Sequence, residues 1–244
     1  MSDAALIDLV GAIVLTVLAV ASTGAVILTS PLERARKTRL LAVAVAWFAA
    51  VTALAAAGAF AGSVPAIGVA VVAPVVIGAV SATRVPSVRA LALGVPLALL
   101  IAVHVGRLLG GFFLVLHADG RLPRTFALSA GWGDIAVATL ALPVAWMVAR
   151  RTAHWRTVAL LWNVVGFIDL VAAVTLGIGS APDSPLRFIV EEAVPGTLAT
   201  LPWMLVPGFL VPQYLLAHLA VFARVAARDR TPAASRLAVG LGRP

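Results

Sequence analysis

The chain of 244 residues contains no cysteine, so disulfide bonds, thiolate metal sites and cysteine nucleophiles are excluded. Lysine is almost absent as well, because Lys37 is the only one and it stands in a short arginine-rich segment. A retinal-type seven-helix protein needs a lysine within a span for its Schiff base, so that class is excluded. The sequence also lacks HExxH, GxSxG and carboxylate-rich metal motifs. It therefore favours a role other than catalysis, with no cofactor expected.

Charged residues are scarce, at 11% of the chain, whereas 62% of the residues are hydrophobic and the mean hydropathy is +1.07. Soluble domains are about half apolar and about a quarter charged. A protein this apolar could not cover its surface with polar groups, so most of its exterior must face lipid. The composition predicts an all-α, polytopic transmembrane helical bundle whose main partner is the lipid bilayer.

Long apolar runs give the number of membrane spans. A helix needs about 20 apolar residues to cross the bilayer, and seven segments reach or approach that length. The third is the shortest, so the sequence leaves open whether residues 66–82 cross fully. The sequence therefore predicts one transmembrane domain over residues 1–225 and a basic cytoplasmic tail over residues 226–244. The predicted spans are 5–29, 40–60, 66–82, 90–116, 126–149, 157–178 and 205–225.

Basic residues predict the orientation of these spans. Fourteen of the 18 lie in alternate loops or in the tail, and only Arg121, Arg124 and Arg187 lie in the opposite loops. The positive-inside rule then places the amino terminus outside and the carboxyl terminus in the cytoplasm. This pattern is a topology signal and lacks the clustered basic face of a nucleic-acid-binding protein, so no nucleic acid partner is expected. The fourteen are Arg34, Arg36, Lys37, Arg39, Arg84, Arg89, Arg150, Arg151, Arg156, Arg224, Arg228, Arg230, Arg236 and Arg243.

The connection over residues 179–204 is too long for a turn and too apolar for a free loop. It predicts a short helix lying at the membrane interface, with Trp203 as an interfacial anchor. Glu191 and Glu192, in the same connection, are expected to be solvated.

Five ionisable residues fall at similar depths inside the predicted spans: His104, Arg107, Asp134, Asp169 and His218. Three full charges facing lipid would cost on the order of 8–10 kcal/mol, which rivals the stability of a whole domain. We therefore predict that Arg107 faces inward and pairs with one or both aspartates. One arginine and two aspartates leave a charge of −1, which a proton on a histidine or an aspartate would remove. Such a centre could exchange protons.

Other polar residues and glycines surround this predicted centre. Gly106 and Gly110 form a small-xxx-small pair that permits close packing of helices. Asn163 shares a helix face with Asp169, although an asparagine there can also serve only to join helices. Gln213 and Tyr214 follow a proline-interrupted start of the last span, where a broken helix can line a cavity.

Three functions remain open from these residues. The first is a small-solute or ion permease, or a proton-linked membrane protein. The second is a b-type haem protein, with His104 and His218 as axial ligands on different spans. The third is an accessory subunit of a larger membrane complex, and a homo-oligomer is also possible. For the first function, the predicted site consists of His104, Arg107, Asp134, Asn163, Asp169, Gln213, Tyr214 and His218.

Two segments, "WNVVGFIDL" at 162–170 and "LPWMLVPGFLVPQYLLAH" at 201–218, resemble small, uncharacterised bacterial integral membrane proteins. The resemblance covers roughly the second half of the chain. It implies a multi-pass protein of the bacterial inner membrane. It brings no activity, so no functional residue is carried over from it.

Overall fold

A computed structural model describes residues 2–182, 184–193 and 196–227. Within these residues the fold is helical throughout and has no strand, as predicted. Seven helical segments are long and apolar enough to cross a membrane, which confirms the predicted number. The predicted tail falls outside the described residues from residue 228 onward.

The described helices follow the apolar runs closely. The third predicted span, left open by the sequence, is a full helix of 21 residues over Val64–Arg84. A 3-10 helix over Val103–Leu109 lies in the middle of the fourth span, and a π-helical segment over Val206–Leu210 begins the last span. The α-helices are α1 Asp3–Leu28, α2 Arg34–Ala56, α3 Val64–Arg84, α4 Pro86–Gly94, α5 Leu97–Ala102, α6 Gly110–Ala118, α7 Arg124–Arg150, α8 Trp155–Ser180 and α9 Val211–Ala227.

The predicted fourth span, residues 90–116, is wrong at its beginning. The chain breaks at Val95 and Pro96, and the continuous span runs over Leu97–Ala118 instead. Proline has no backbone N–H and disfavours helical geometry in the residue before it. Val95 accordingly adopts extended backbone angles, and its carbonyl accepts a hydrogen bond from the guanidinium of Arg224.

The last four spans form the core of the bundle. Half of the fourth span and 61% of the seventh are buried, whereas at most 17% of the first, second or third is. The fourth span, from α5 to α6, packs most extensively against α7, and α7 also packs against α8. This agrees with the prediction of a polar centre among spans four to seven, flanked by three more apolar spans. We call the end of the bundle that carries Arg34, Arg89 and Arg151 the arginine-rich end.

The connection after α8 corrects two predictions. Within its described part the only helical piece is one 3-10 turn over Thr197–Ala199, so the predicted interfacial helix is absent there. Trp203 is completely buried and does not anchor the chain at the interface. Its indole N–H donates to Oδ1 of Asp8, 2.7 Å away, and the ring packs against Gly11 of α1. The hydrogen bond to Asp8 satisfies the indole N–H, so the ring of Trp203 can be buried without a contact to the membrane surface.

Candidate functional site

Arg107 lies at the centre of the bundle and is completely buried. Its Nε donates to Oδ1 of Asp134 at 2.6 Å, and its Nη2 pairs with Oδ2 of Asp169. Its Nη1 donates to the Gly166 carbonyl at 3.0 Å. The predicted pairing of Arg107 with one or both aspartates is therefore confirmed, and it involves both. One guanidinium thus joins the fourth span to α7 and α8.

The local backbone of the fourth span positions this guanidinium. Residues i and i+3 of a 3-10 helix lie directly above one another, so His104 and Arg107 share one face. The next residues pack closely on α7: a Cβ on Gly110 would lie 2.6 Å from Cβ of Asp134 and 2.8 Å from the Gly131 carbonyl oxygen. A glycine at position 110 therefore lets the arginine reach Asp134.

His218 is held in one neutral form by its partners. Its Nδ1 lies 2.8 Å from Oδ1 of Asn163, and Nδ2 of the same asparagine donates to the His218 carbonyl at 3.1 Å. The amide oxygen can only accept, so Nδ1 of His218 carries the proton. Nε2 is then an acceptor, and it lies 3.4 Å from Nη1 of Arg107. Asn163 therefore fixes the tautomer of a histidine that contacts the ion pairs.

His104 is buried in a group of aromatic rings. Its Nδ1 lies 3.0 Å from the Leu100 carbonyl, and its ring centroid lies 4.2 Å from that of His218. The rings of Trp162 and Tyr214 lie 5.1 and 5.3 Å from it. Among the described residues, neither Nε2 of His104 nor the Tyr214 hydroxyl has a hydrogen-bond partner. These two buried polar atoms are available to a water molecule, a proton or a ligand.

Trp162 and the carbonyl of Gly166 belong to the centre but were not predicted as parts of the site. The indole N–H of Trp162 donates to the Val137 carbonyl at 3.0 Å, and its ring lies perpendicular to that of His104. A signal was present in the sequence, since residues 162, 166 and 169 follow helical spacing on one face. Backbone carbonyl acceptors carry no such signal, because every residue has one.

Gln213 is the predicted residue that the structure places apart from this centre. Its Oε1 accepts a hydrogen bond from the hydroxyl of Thr23 at 3.0 Å, so the side chain faces α1. The start of the last span departs from α-helical geometry in the π-helical segment Val206–Leu210, but the helix continues into α9 without a break. Tyr214, the residue after Gln213, lies beside His104 in the centre.

A cavity of about 610 Å³, here called the vestibule, leads to the centre from the arginine-poor end of the bundle. Asp134 lines it, ten residues after the first residue of α7 and thus about 15 Å deep. Only Oδ1 of Asp134 accepts a hydrogen bond from the described residues, which leaves Oδ2 for a ligand. The vestibule walls are largely apolar and include Phe60, Ile67, Val71, Phe113, Phe126 and Leu170.

The vestibule is bordered by charged residues of both signs: Arg121, Arg187, Glu191 and Glu192. Glu191, which was expected to be solvated, also has a specific partner in the protein at an exposed position. Its carboxylate accepts hydrogen bonds from the hydroxyl and the backbone N–H of Thr125, the latter at 2.9 Å. These bonds lower the pKa of Glu191 from its ordinary value, with the hydroxyl contributing most. The carboxylate thereby satisfies a free N–H at the start of α7.

The centre can take up one positive charge. With both aspartates ionised and both histidines neutral, it carries −1. The side chain of Asp169 is 17% exposed and that of Asp134 is 8% exposed, whereas the guanidinium of Arg107 is buried. The two carboxylates are therefore more accessible than the cation that they pair with. Within the described residues, no group of three or more histidine, aspartate or glutamate side chains is arranged to hold a metal ion. A proton or a cation would balance the surplus negative charge of the centre.

No curated protein and no solved structure matches the chain. One family model, described as a domain of unknown function (DUF8737), matches residues 64–226. The match runs from α3 into the end of α9 and includes Arg107 and its partners, whereas α1 and α2 lie outside it. Because the match covers more than half of the sequence, the chain belongs to the DUF8737 family.

Proposed function

We propose that this protein is a proton-linked permease for a small solute, and that the solute enters through the vestibule. The observation that carries the proposal is the meeting of an apolar cavity with a buried ion-pair centre at Asp134. Ionisable residues deep in a membrane protein commonly mark the path of a substrate or a proton. A purely structural ion pair would not need a cavity that reaches it.

The lining of the vestibule supports a particular class of solute. Phe113, Phe126 and Leu170 offer apolar contact, and Oδ2 of Asp134 offers an acceptor at the inner end. The surplus negative charge of the centre favours a positive head group. The proposed solute is therefore a small amphipathic cation, such as an amine with an apolar body.

Proton exchange would act on the same contacts. A proton that reaches Asp134 or Asp169 cancels the surplus charge and removes one ion pair of Arg107. Arg107 joins the fourth span to α7 and α8, so losing one pair lowers the cost of separating these helices. A cation and a proton would compete for the same carboxylates, which couples the two fluxes in opposite directions. His218 would keep its neutral form, because its Nε2 faces the guanidinium.

The proposed location is the inner membrane of a bacterium, with the arginine-rich end in the cytoplasm. Support for this orientation comes from the fourteen basic residues of the alternate loops and the tail. The vestibule would then open to the outside, and the solute would exchange for a proton across the membrane. A fusion of alkaline phosphatase or a fluorescent protein to the carboxyl terminus tests this orientation.

The experiment uses purified protein in liposomes that contain a pH-sensitive dye. A panel of small amines, matched acids and neutral alcohols is added outside, and proton movement is followed. We expect amines to drive proton movement in the wild type, and Asp134→Asn to abolish it while the protein remains folded. Equal responses from Asp134→Asn and wild type, or responses to the acids alone, would overturn the proposal.

Two other functions stay open as weaker proposals. A bis-histidine haem would lie between His104 and His218, but their ring centroids are 4.2 Å apart, so a porphyrin would require these spans to separate. An absorbance spectrum of the purified protein tests this alternative. An accessory subunit, or a homo-oligomer, is supported by the low burial of α2, where Val51 and Ala55 are the buried residues. Co-purification in mild detergent tests it.

A further inference from the structure

The two aspartates of the centre face different surroundings. Asp134 lines the vestibule, whereas Asp169 is absent from the vestibule lining although its side chain is the more exposed of the two. The exposed part of Asp169 therefore lies on another side of the bundle. Its nearest neighbour there is Gly133 of α7, so the exposed part belongs to the contact between α7 and α8.

Gly133 leaves a gap in this contact. Its backbone lies so close to the Asp169 carboxylate that an added Cβ would overlap Oδ1, and Gly133 is itself partly exposed. Oδ2 of Asp169 pairs with Arg107, while none of the described residues donates a hydrogen bond to Oδ1. We call this gap, with Gly133 on one side and Asp169 on the other, the α7–α8 seam. A carboxylate oxygen without a partner lies at its inner end.

The rim of the α7–α8 seam is apolar and faces away from the bundle. Trp132 precedes Gly133 on α7, and Ile168 precedes Asp169 on α8, and both side chains are exposed. Val165 is exposed too, and it lies one helical turn before Asp169 on the same face of α8. Large apolar side chains on the outside of a membrane protein contact hydrocarbon. The seam therefore opens toward the acyl chains of the bilayer.

The depth of the seam makes its free oxygen chemically unusual. Asp169 lies 14 residues after Trp155 and 11 residues before Ser180, which is about 21 Å and about 16 Å from the two ends of α8. This position is near the middle of the membrane, where an ionised carboxylate beside hydrocarbon is costly. Two kinds of partner would remove that cost: a proton, or a cation whose apolar body stays among the acyl chains.

We propose that the α7–α8 seam is a lateral entrance to the centre, through which a lipophilic amine dissolved in the bilayer places its ammonium group on Oδ1 of Asp169. The apolar body of the amine would contact Trp132, Val165 and Ile168 without leaving the hydrocarbon. The choice of an amine rests on the proposed function, whereas the position of the entrance rests on Gly133 and Asp169. One carboxylate of the centre then serves the bilayer and the other serves the vestibule.

The test asks from which phase each aspartate is reached, and it uses the wild-type protein in phosphatidylcholine liposomes. N,N′-dicyclohexylcarbodiimide dissolves in the bilayer, whereas a carbodiimide that carries a charged ammonium group stays in water. With either reagent a carboxylic acid gives its proton to a reagent nitrogen and bonds through oxygen to the central carbon. Migration of the acyl group to nitrogen then yields a stable N-acylurea, so the whole reagent is added and nothing leaves. Peptide mass spectrometry after reaction in mildly acidic buffer locates the added mass.

We expect the lipid-soluble reagent to modify Asp169 about tenfold more than Asp134, and the water-soluble reagent to show the opposite preference. Equal modification of the two aspartates by the lipid-soluble reagent, or none of Asp169, would overturn the entrance. Octylamine should protect Asp169 from this reagent, and octanol, which has the same chain length and no charge, should not. Equal protection by the two would overturn the assignment of an amine.

A pair of glycine variants tests the gap itself. Gly133→Ala fills the seam and should reduce modification of Asp169, whereas Gly68→Ala should leave it unchanged, because a Cβ at position 68 has no heavy atom within 4 Å. Thermal unfolding checks that both variants fold, and the wild-type result stands without them. An equal loss of modification in two folded variants would contradict a gap at Gly133.

Failure of the entrance is distinguishable from failure of the permease. If amines drive proton movement in liposomes but the lipid-soluble reagent does not modify Asp169, the permease stands and the entrance is rejected. If Asp169 is modified from the bilayer and octylamine protects it, but amines drive no proton movement, the entrance stands as a binding site and transport is rejected.

Discussion

Nε of Arg107 lies 2.6 Å from Oδ1 of Asp134, and both side chains are buried among four spans. Removing the arginine leaves two carboxylates without their cation, so Arg107→Met should destabilise the fold by about 3–5 kcal/mol. Denaturant unfolding in detergent measures this change. Asp169→Asn should cost less than Asp134→Asn, because the Asp169 side chain is the more exposed of the two acids.

A compensating variant separates charge imbalance from loss of packing. Combining Arg107→Met with Asp134→Asn and Asp169→Asn removes all three charges, so it should recover most of the stability lost in Arg107→Met alone. If the triple variant were as unstable as the sum of its parts, the ion pairs would not be the reason for the loss.

Close packing at Gly110 predicts a second effect. An added Cβ would lie 2.6 Å from Cβ of Asp134, so Gly110→Ala must push α6 away from α7 and should cost about 1–3 kcal/mol. Gly24→Ala is the matched control, because a Cβ at that position in α1 has no heavy atom within 4 Å. The thermal unfolding midpoint should fall for the first variant and stay constant or rise for the second. A similar fall in both would contradict this interpretation.

The tautomer of His218 gives a spectroscopic prediction. The ¹⁵N chemical shifts assigned to His218 in the wild-type protein should be those of a neutral ring at neutral pH, with its proton on Nδ1. Asn163→Leu removes the acceptor from Nδ1, so the same ring should shift toward a mixture of tautomers. His117→Gln removes one of the other histidine signals and supports assignment. A charged His218 in the wild type would contradict the assigned arrangement.

The Glu191 carboxylate gives a prediction about pH. Its pKa is lowered in the folded protein by the hydrogen bonds from Thr125, so its stabilising effect exists above the ordinary pKa and is lost as the pH falls through the folded value. Glu191→Gln should therefore lower the thermal midpoint slightly at neutral pH and have no effect in acid. Glu192→Gln removes the same charge from the neighbouring residue and should have little effect at either pH. Identical effects of the two variants would contradict a specific role for Glu191.

Much of the membrane architecture was predictable because it depends on local composition. An apolar run of sufficient length crosses the membrane whatever its neighbours are, which is why seven spans were found, including the short third one. The start of the fourth span was missed, because an apolar run does not reveal that the chain stops at Pro96 and begins a new helix. The burial of Trp203 was missed for a related reason: the sequence does not show that a distant residue, here Asp8, accepts a hydrogen bond from its indole N–H.

Within the candidate site, only the contact between the charged residues could be predicted from the sequence. The free energy of placing Arg107, Asp134 and Asp169 in hydrocarbon forces them inward, and opposite charges then pair, so their contact followed from the sequence. The sequence did not show that Gln213 turns toward Thr23, because neighbouring residues of a helix point in different directions and the rotation of the last span depends on its packing.

The sequence by itself determined that the chain has seven segments long and apolar enough to cross a membrane, and that its buried arginine pairs with at least one aspartate, since both results follow from the cost of polar groups in lipid. The tertiary structure alone decided which atoms complete the centre and where the cavities lie. The Gly166 carbonyl, the adjacent rings of His104 and His218 and the vestibule all depend on how distant helices pack. Such packing is set by the shapes of many side chains together and not by the polarity of any single segment.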